Sequence, residues 1–597
     1  MKIGLEIHQR LLTHKLFCAC PSELSEDVEG DLVVRRQLRP VVSELGEIDV
    51  ATKYEFEKRK QFEYIVFEKN NCLVELDEEP PHPMNKEALE IALEIAMHLN
   101  AKVLDEIYVM RKIVIDGSNT CGFQRTCIIA LDGYIDTSRG KVCIPTIALE
   151  EESAGIVRSD SSSVTYRLDR LGIPLIEIST APDIVDGAHL LEVAEKIGLT
   201  MRATGRVARG IGSIRQDINV SVEGGARVEI KGAQELKLLP LLAEGEIKRQ
   251  RALLEILAEL RTRVNRPFSA ERKFVDLTDI LKNTSSELIR QGISRGQRVI
   301  GLKLEHHRGL VGKEIQPGKR YGTELSEYAK TAGVKGIIHS DEQMEKYGLT
   351  PQEIEGVRSA LEMAENDAFV LVVAESERAK RALDKVCERA SMDYIPSETR
   401  RANPDGTTSF IRPMPGSARL YPETDIPSIR ITKELLSGVR KGESYEDKKK
   451  KFERMLSPEM AERIVRSRNM LLFEKLVEEF PGVEPTIIAN TIENVLVSLR
   501  REGFVFENVQ RTLEALFAYY SKGMFVKSAI PEILKLVARG RSVEQAVSEG
   551  GLRKITGKEL ESIVKENNFD IKKIMARYRL VVEAEEVQKI IKARCRE

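Results

Sequence analysis

Ten residues, Ser213–Val222, constrain the chain more than any other segment, because they alternate in character. Side chains two apart share a face of an extended chain, so a stretch of this kind reads as a half-buried strand. Ile214, Ile218, Val220 and Val222 form one face, and Ser213, Arg215, Asp217, Asn219 and Ser221 the other. The first strand-like segment, Lys2–Gln9, repeats the pattern with Ile3, Leu5 and Ile7 opposed to Gly4, Glu6 and His8. Pro174–Ser179 buries Ile176 and Ile178 and leaves Glu177 opposite, and in Arg227–Lys231 the residues Glu229 and Lys231 share the polar side. Gly140–Glu150 runs into Glu150-Glu151-Glu152, where continued alternation puts Glu150 with Thr146 and Ala148 and turns Glu151 toward Ile147 and Leu149.

Any sheet with one wet face alternates in this way. The residue types carry the functional argument: exposed strands favour Thr, Lys, Glu and Gln, whereas Asp, Asn, His and Gly recur here, some of them poor strand formers. His8, Glu150 and Glu177, with Glu6 beside them, offer imidazole and carboxylate ligands to a divalent ion. Oxygen-rich ligation favours Mg²⁺ over Zn²⁺. Cys18-Ala19-Cys20 with Cys72 lacks a CxxC partner, so plain thiols are the preferred reading and structural zinc the minor one. Asp116–Arg125 is dense in small polar residues and fits a phosphate loop or a simple turn equally. Neither a GxxxxGK[ST] loop nor a nucleophile elbow occurs, so ATP, if used, is held without a P-loop.

At 597 residues the chain needs three or four cores. Alternating segments fill residues 1 to about 270, with helices expected over Asn85–Asn100 and about Leu241–Arg263, the second ending near Pro267. This predicts an α+β domain with a large, mostly antiparallel sheet. Gly-punctuated turns then mark Phe274–Tyr394 as a self-contained insertion, with helices at Pro351–Asn366 and Glu375–Arg389. Arg412–Asp425, rich in Pro and Gly, reads as an ordered loop. Beyond Lys448–Lys451 the chain is amphipathic helix, with a joint near Gly540–Gly551. The net charge of −2 argues against a surface that grips nucleic acid everywhere, but Arg539–Glu597 carries 14 Lys/Arg against 10 Asp/Glu. No apolar run approaches a membrane span, and the start of the chain carries no apolar signal region, so a cytoplasmic protein is expected.

Met1–Cys20 resembles the opening of the GatB/GatE family of tRNA-dependent amidotransferases. Met110–Thr126, Leu149–Gly155, Arg170–Ile184, Gly212–Leu236 and Arg412–Pro427 extend the resemblance over more than 400 residues. The insertion is similar to the one in bacterial aspartyl-tRNA synthetases, a mark of the archaeal branch. The resemblance implies a cradle domain of residues 1–273 plus 395–440, an aspartyl-tRNA-synthetase-type α+β insertion at 274–394, an all-α helical domain at 441–538 and a basic YqeY-like helical tail at 539–597.

It also implies an activity, glutamyl-tRNA(Gln) amidotransfer. ATP would phosphorylate the γ-carboxylate of glutamate on tRNA(Gln), and ammonia would displace the phosphate. Glu6, His8, Glu150 and Glu177 would be catalytic, with His8, Glu150 and Glu177 holding Mg²⁺ and Glu151 in reserve where the alignment leaves one residue of play, while Arg215, Asp217, Asn219 and Lys231 would line the substrate or ATP pocket. An asparaginase-like amidotransferase subunit of the D type would supply ammonia, in a heterodimer or a heterotetramer with two copies of each chain. The competing reading is a non-catalytic tRNA-binding scaffold of a synthetase–amidotransferase assembly.

Overall fold

The computed structural model describes residues 1–26, 28–42, 46–160, 162–264, 271–416, 419–439 and 441–594. The chain divides into two compact units, Met1–Gly442 and Glu443–Glu597.

The first unit is built on an 11-stranded sheet. Ten of its strands are β1 (Lys2–Arg10), β2 (Met110–Ile113), β3 (Phe123–Thr137), β4 (Gly140–Glu151), β5 (Pro174–Ser179), β6 (Ile214–Ser221), β7 (Val228–Ala233), β8 (Glu398–Ala402), β9 (Thr408–Pro413) and β10 (Leu420–Pro422). Their order across the sheet is β9-β8-β7-β6-β1-β5-β4-β3-β2-β10, with Lys102–Val103 paired to β3. All of these pairings are antiparallel except β7–β8. A parallel neighbour cannot be reached through a hairpin, and here the whole stretch from Leu238 to the start of β8 forms the crossover.

Ile3, Leu5 and Ile7 are fully buried in one core with α1 (Lys86–His98), α2 (Gly187–Ala203) and the start of α3 (Leu238–Arg263). Asn85 caps α1 by accepting from the Ala88 N–H at 3.1 Å, and Ala88, Ile91, Ala92 and Ile95 form its buried stripe. Helices therefore cover the odd-numbered face of β1 and leave the even-numbered face to polar groups. Two glutamines interrupt the apolar side. Gln9 is satisfied by donating to the carbonyls of Arg10, Ala208 and Ser213, while Gln216 is buried with Oε1 unpaired.

Several expectations change. Arg412–Asp425 is not one loop: Arg412 and Pro413 end β9, and Leu420–Pro422 forms the terminal strand β10, an edge where proline is tolerated. Ser417 and Ala418 within that stretch, and Pro267 after α3, lie outside the described residues. Pro351–Asn366 shortens to a helix at Pro351–Ala360, which stops before Glu362 at φ +52°. The insertion is not self-contained, because Leu253, Ile256, Leu257 and Leu260 of α3 belong to its core. It has its own four-stranded antiparallel sheet of Phe274–Asp276, Arg298–Leu304, Ala368–Ala374 and Ile338–His339.

The second unit contains helices and no strand among its described residues. Its two hydrophobic clusters divide after Leu552, since Val543, Ala546, Val547 and Leu552 pack with the preceding helices. The division at 538/539 therefore cuts through a core. Among the described residues, no helix is long and apolar enough to cross a membrane.

Candidate functional site

The polar face of the large sheet carries three rows of charge. Register sets the first: His8 stands opposite Glu177 on β5 and Arg215 on β6. His8 Nε2 lies 3.2 Å from Glu177 Oε2 and 3.7 Å from Glu150 Oε1. Lys112 of β2 places its Nζ 2.8 Å from Glu150 Oε2 and 3.6 Å from Glu177 Oε2. Burial alone would lower the His8 imidazole, but the hydrogen bond and charge of Glu177, with Glu150, hold it above its ordinary value. Burial likewise opposes the charge on Lys112, and Glu150 and Glu177 reverse that effect. Against its own burial, Glu177 is held well below the carboxylate range by Lys112 and His8.

The second row lies one step along the strands. Glu6 and Asp217 are directly opposed across β1–β6, an unfavourable pairing of like charges. Together with Glu229 they form a group of three carboxylates. Lys231 Nζ bridges Asp217 and Glu229 at 3.0 Å each, while Asn219 Nδ2 donates to Glu6 Oε1 at 3.0 Å. Burial and the charges of Glu177 and Glu229 push the Glu6 carboxyl above its ordinary value. Asp217 and Glu229, although buried, are drawn down by Lys231, whose ammonium they push up despite its burial. A cleft of about 390 Å³ opens beside Gly4, Glu6 and Asn219.

The third row is cationic. Glu152, fully buried, is surrounded by Arg10 at 2.5 Å, Arg215 at 3.1 Å and Arg170 at 3.5 Å. Three guanidiniums around one carboxylate leave a positive surplus beside His8.

The fold thus gathers His8, Glu150 and Glu177 into one group and sends Glu6 to a second with Asp217. Lys231 bridges the second group, Asn219 binds Glu6, and Arg215 joins the third row. Glu151 faces away, holding Arg125 through its main-chain N–H at 3.1 Å and guanidinium at 3.5 Å. Sequence reasoning did not select Lys112, Arg10, Arg170 or Glu152. Lys112 lies on a strand of four residues, too short for its period to speak. Arg10 continues the even-numbered series of β1 and was open to that reading. Glu229 had already been placed on the polar side with Lys231.

The donor atoms of the first two groups lie within 4.8 Å of one another within each group. In both, a lysine ammonium already supplies cationic charge to the carboxylates, as a bound cation would. One imidazole with two carboxylates, beside a purely carboxylate group, fits a hard divalent ion. Cys18, Cys20 and Cys72 also converge, and Glu75, three residues after Cys72, completes a four-donor group in place of a second CxxC cysteine. Cys18 Sγ donates to Glu75 Oε1 at 2.9 Å, and a hydrogen bond from Cys18 draws the Cys20 thiol down to about 7. In the Asp116–Arg125 loop Asp116 accepts from the Ser118 N–H and Thr120 donates to the Glu75 carbonyl, while Asn119 Oδ1 is buried without a partner.

A strand face with this constellation defines a class, and residues 1–437 match the family model of the GatB/GatE catalytic domain. The chain belongs to the GatB/GatE family. It is 48% identical to the E-type subunit of the glutamyl-tRNA(Gln) amidotransferase of Pyrococcus furiosus, over 95% of this chain and 90% of that protein. The E-type subunit of Methanocaldococcus jannaschii is 46% identical over 94% and 91%, and that of Sulfurisphaera tokodaii 45% over 96% and 92%.

Proposed function

We propose that the chain is the tRNA-acting subunit of a glutamyl-tRNA(Gln) amidotransferase, a carbon–nitrogen ligase that converts Glu-tRNA(Gln) to Gln-tRNA(Gln) at the expense of ATP. Near full-length similarity to proteins of that name supports the class. The observation that carries the catalytic reading is the convergence of buried carboxylates on one sheet face, with Glu6 and Asp217 directly opposed. A scaffold would gain nothing from such a costly arrangement.

The chemistry accounts for each row. A γ-carboxylate is a poor acyl donor, so its oxygen attacks the γ-phosphorus of ATP, ADP leaves, and an acyl phosphate forms. Ammonia then attacks the acyl carbon, inorganic phosphate leaves with the bonding pair, and the amide remains after loss of a proton. His8, Glu150 and Glu177 would hold Mg²⁺, which neutralises phosphate charge during such a transfer. Lys112 would hold Glu177 in its charged form and position Glu150 through their 2.8 Å ion pair. Asp217, Asn219 and Lys231 would line the nucleotide or glutamyl pocket beside Glu6, and Arg215 would face the phosphates from the cationic row. In this reading residues 1–273 with 395–440 form the catalytic cradle, and 274–394 are an aspartyl-tRNA-synthetase-type insertion. Ammonia would come from an asparaginase-like partner of the D type. The test supplies the purified chain with Glu-tRNA(Gln), Mg²⁺-ATP and ammonium. Gln-tRNA should form without the partner, and its absence with folded protein and bound tRNA would sink the catalytic reading.

A further inference from the structure

One sizeable cavity of the first unit lies away from the charged face of the large sheet. It measures about 710 Å³ and lies in the insertion, between α4 (Glu287–Ser294) and the strand Ala368–Ala374. That volume is in the range that encloses a small organic ligand, roughly 300–1,000 Å³. Its floor is apolar: Leu371 and Val373 of the strand, with Ile338 beside them. Close packing fixes the wall, because a Cβ at Gly292 of α4 would fall 2.3 Å from Val373 Cγ1.

The rim is cationic. Arg295, Lys335, Lys346 and Arg378 all line the cavity, and none makes an ion pair or a side-chain hydrogen bond among the described residues. Within the insertion Lys303 pairs with Glu305 and Lys319 with Glu327, whereas Lys282, Arg290 and Lys330, like the rim cations, make no ion pair among the described residues. Glu287 is the single carboxylate of the lining and accepts from Gln291 Nε2 at 2.9 Å. A second observation is independent of charge. Ser286, 1% exposed, lines the cavity, yet its Oγ has no hydrogen-bond partner. It occupies the N-cap position of α4 without capping it. A buried hydroxyl without a partner is unfavourable, and uncapped first-turn N–H groups favour an anion. Tyr347 adds an aromatic ring to the same lining.

We propose that this cavity binds a phosphate ester of nucleotide size, with its phosphates on the cationic rim and α4 N-terminus and its base against Tyr347 and the apolar floor. Base stacking on an aromatic ring and charge-assisted bonds to phosphate are the two interactions this lining supplies. The ligand is either a free nucleotide or a nucleotide of an RNA chain. The site is separate from the cradle rows and does not depend on the function proposed for them.

Photolabelling of the full chain with 8-azido-ATP, followed by peptide mapping, locates the site. Label should appear in peptides covering 286–297, 333–347 or 371–378. It should fall about tenfold or more in the double variant Arg295→Glu/Arg378→Glu, and also fall in Ser286→Ala. His8→Ala should leave insertion label unchanged, which separates this site from the cradle. The cations are exposed and unpaired, so circular dichroism of the double variant should match that of the parent. Competition distinguishes the source: ADP displacing label at lower concentration than a short oligoribonucleotide means a free nucleotide, and the reverse order means RNA. Absence of label from all three peptides, or label unchanged in both variants, overturns the proposal.

Discussion

Glu6 concentrates the conflict between stability and chemistry. Its carboxylate faces Asp217 across the strand pair, with Glu177 and Glu229 also near enough to raise its affinity for a proton. A residue kept only for the fold would not be chosen this way, since like charges directly opposed are destabilising. Glu6→Gln removes one negative charge yet keeps an oxygen to accept from Asn219 Nδ2. In metal-free buffer the variant should unfold at higher urea, a gain of about 0.5–1 kcal/mol, while amidation is lost. Unaltered or lower stability would indicate that Glu6 serves the fold. His8→Ala and Glu177→Ala should likewise abolish amidation and leave tRNA affinity within about twofold in a filter-binding assay. Comparable losses of affinity would make them structural. This much of the site was legible in a period of two, because a strand face is specified by every second residue. Lys112 was not legible: its contribution depends on its side chain reaching from β2 over β3 to Glu150 of β4 and Glu177 of β5, and no local pattern encodes strand order.

At the scale of elements, α3 is tied to the helix Tyr321–Lys330 and to β8 of the large sheet through a buried ionic network. Arg249 of α3 binds Glu246, Glu324 and Glu398 at 2.9, 2.6 and 3.2 Å, and all four are fully buried. Glu324 lies on the helix Tyr321–Lys330, where it also meets Arg389, and Arg400 of β8 completes the set. Burial alone would raise the Glu324 carboxyl, but Arg249, Arg389 and Arg400 hold it far below the ordinary 4.5. A depressed value contributes stability that is present above 4.5 and lost as pH falls toward the folded-state value. Glu324→Gln should therefore destabilise the first unit by about 3–5 kcal/mol at neutral pH. Its stability should also fall less steeply than the parent's below pH 4.5, measured by urea unfolding across pH. An unchanged acid slope would place the depressed carboxyl elsewhere. None of this was readable beforehand, since the partners lie up to 149 residues apart, from Arg249 to Glu398. Helix α2 was missed for a different reason: its buried stripe includes Gly187, His189 and Gly198, which blur the apolar period.

On the scale of the whole molecule, the basic end of the chain must be tested along the seams of its packing. Deleting Arg539–Glu597 would remove Val543, Ala546, Val547 and Leu552 from the core formed by the preceding helices, so lost tRNA binding would report unfolding as readily as lost charge. The seam after Leu552 gives the cleaner experiment, because Leu560, Ile563, Val564, Ile574, Val582 and Val587 form a cluster of their own. Residues 553–597 hold 12 Lys/Arg against 8 Asp/Glu, so the whole positive surplus goes with them. If this segment neutralises phosphates, its removal should weaken tRNA binding and flatten the dependence of log K on log salt, by about 0.7–0.9 for each phosphate no longer neutralised. Amidation at saturating tRNA should survive, since the rows proposed as catalytic lie wholly within the first unit. Helix content per residue should match the parent's. A salt slope equal to the parent's would mean that the charge is a solvated surface and that phosphates are gripped elsewhere. The comparison is informative because the chain as a whole has a net charge of −2. With so little overall charge to attract RNA, any affinity must come from a local concentration of Lys and Arg, and a cut after Leu552 removes one such concentration while taking from the preceding core the packing of Leu580 and the hydrogen bonds Lys554–Met524 and Ser528–Arg579.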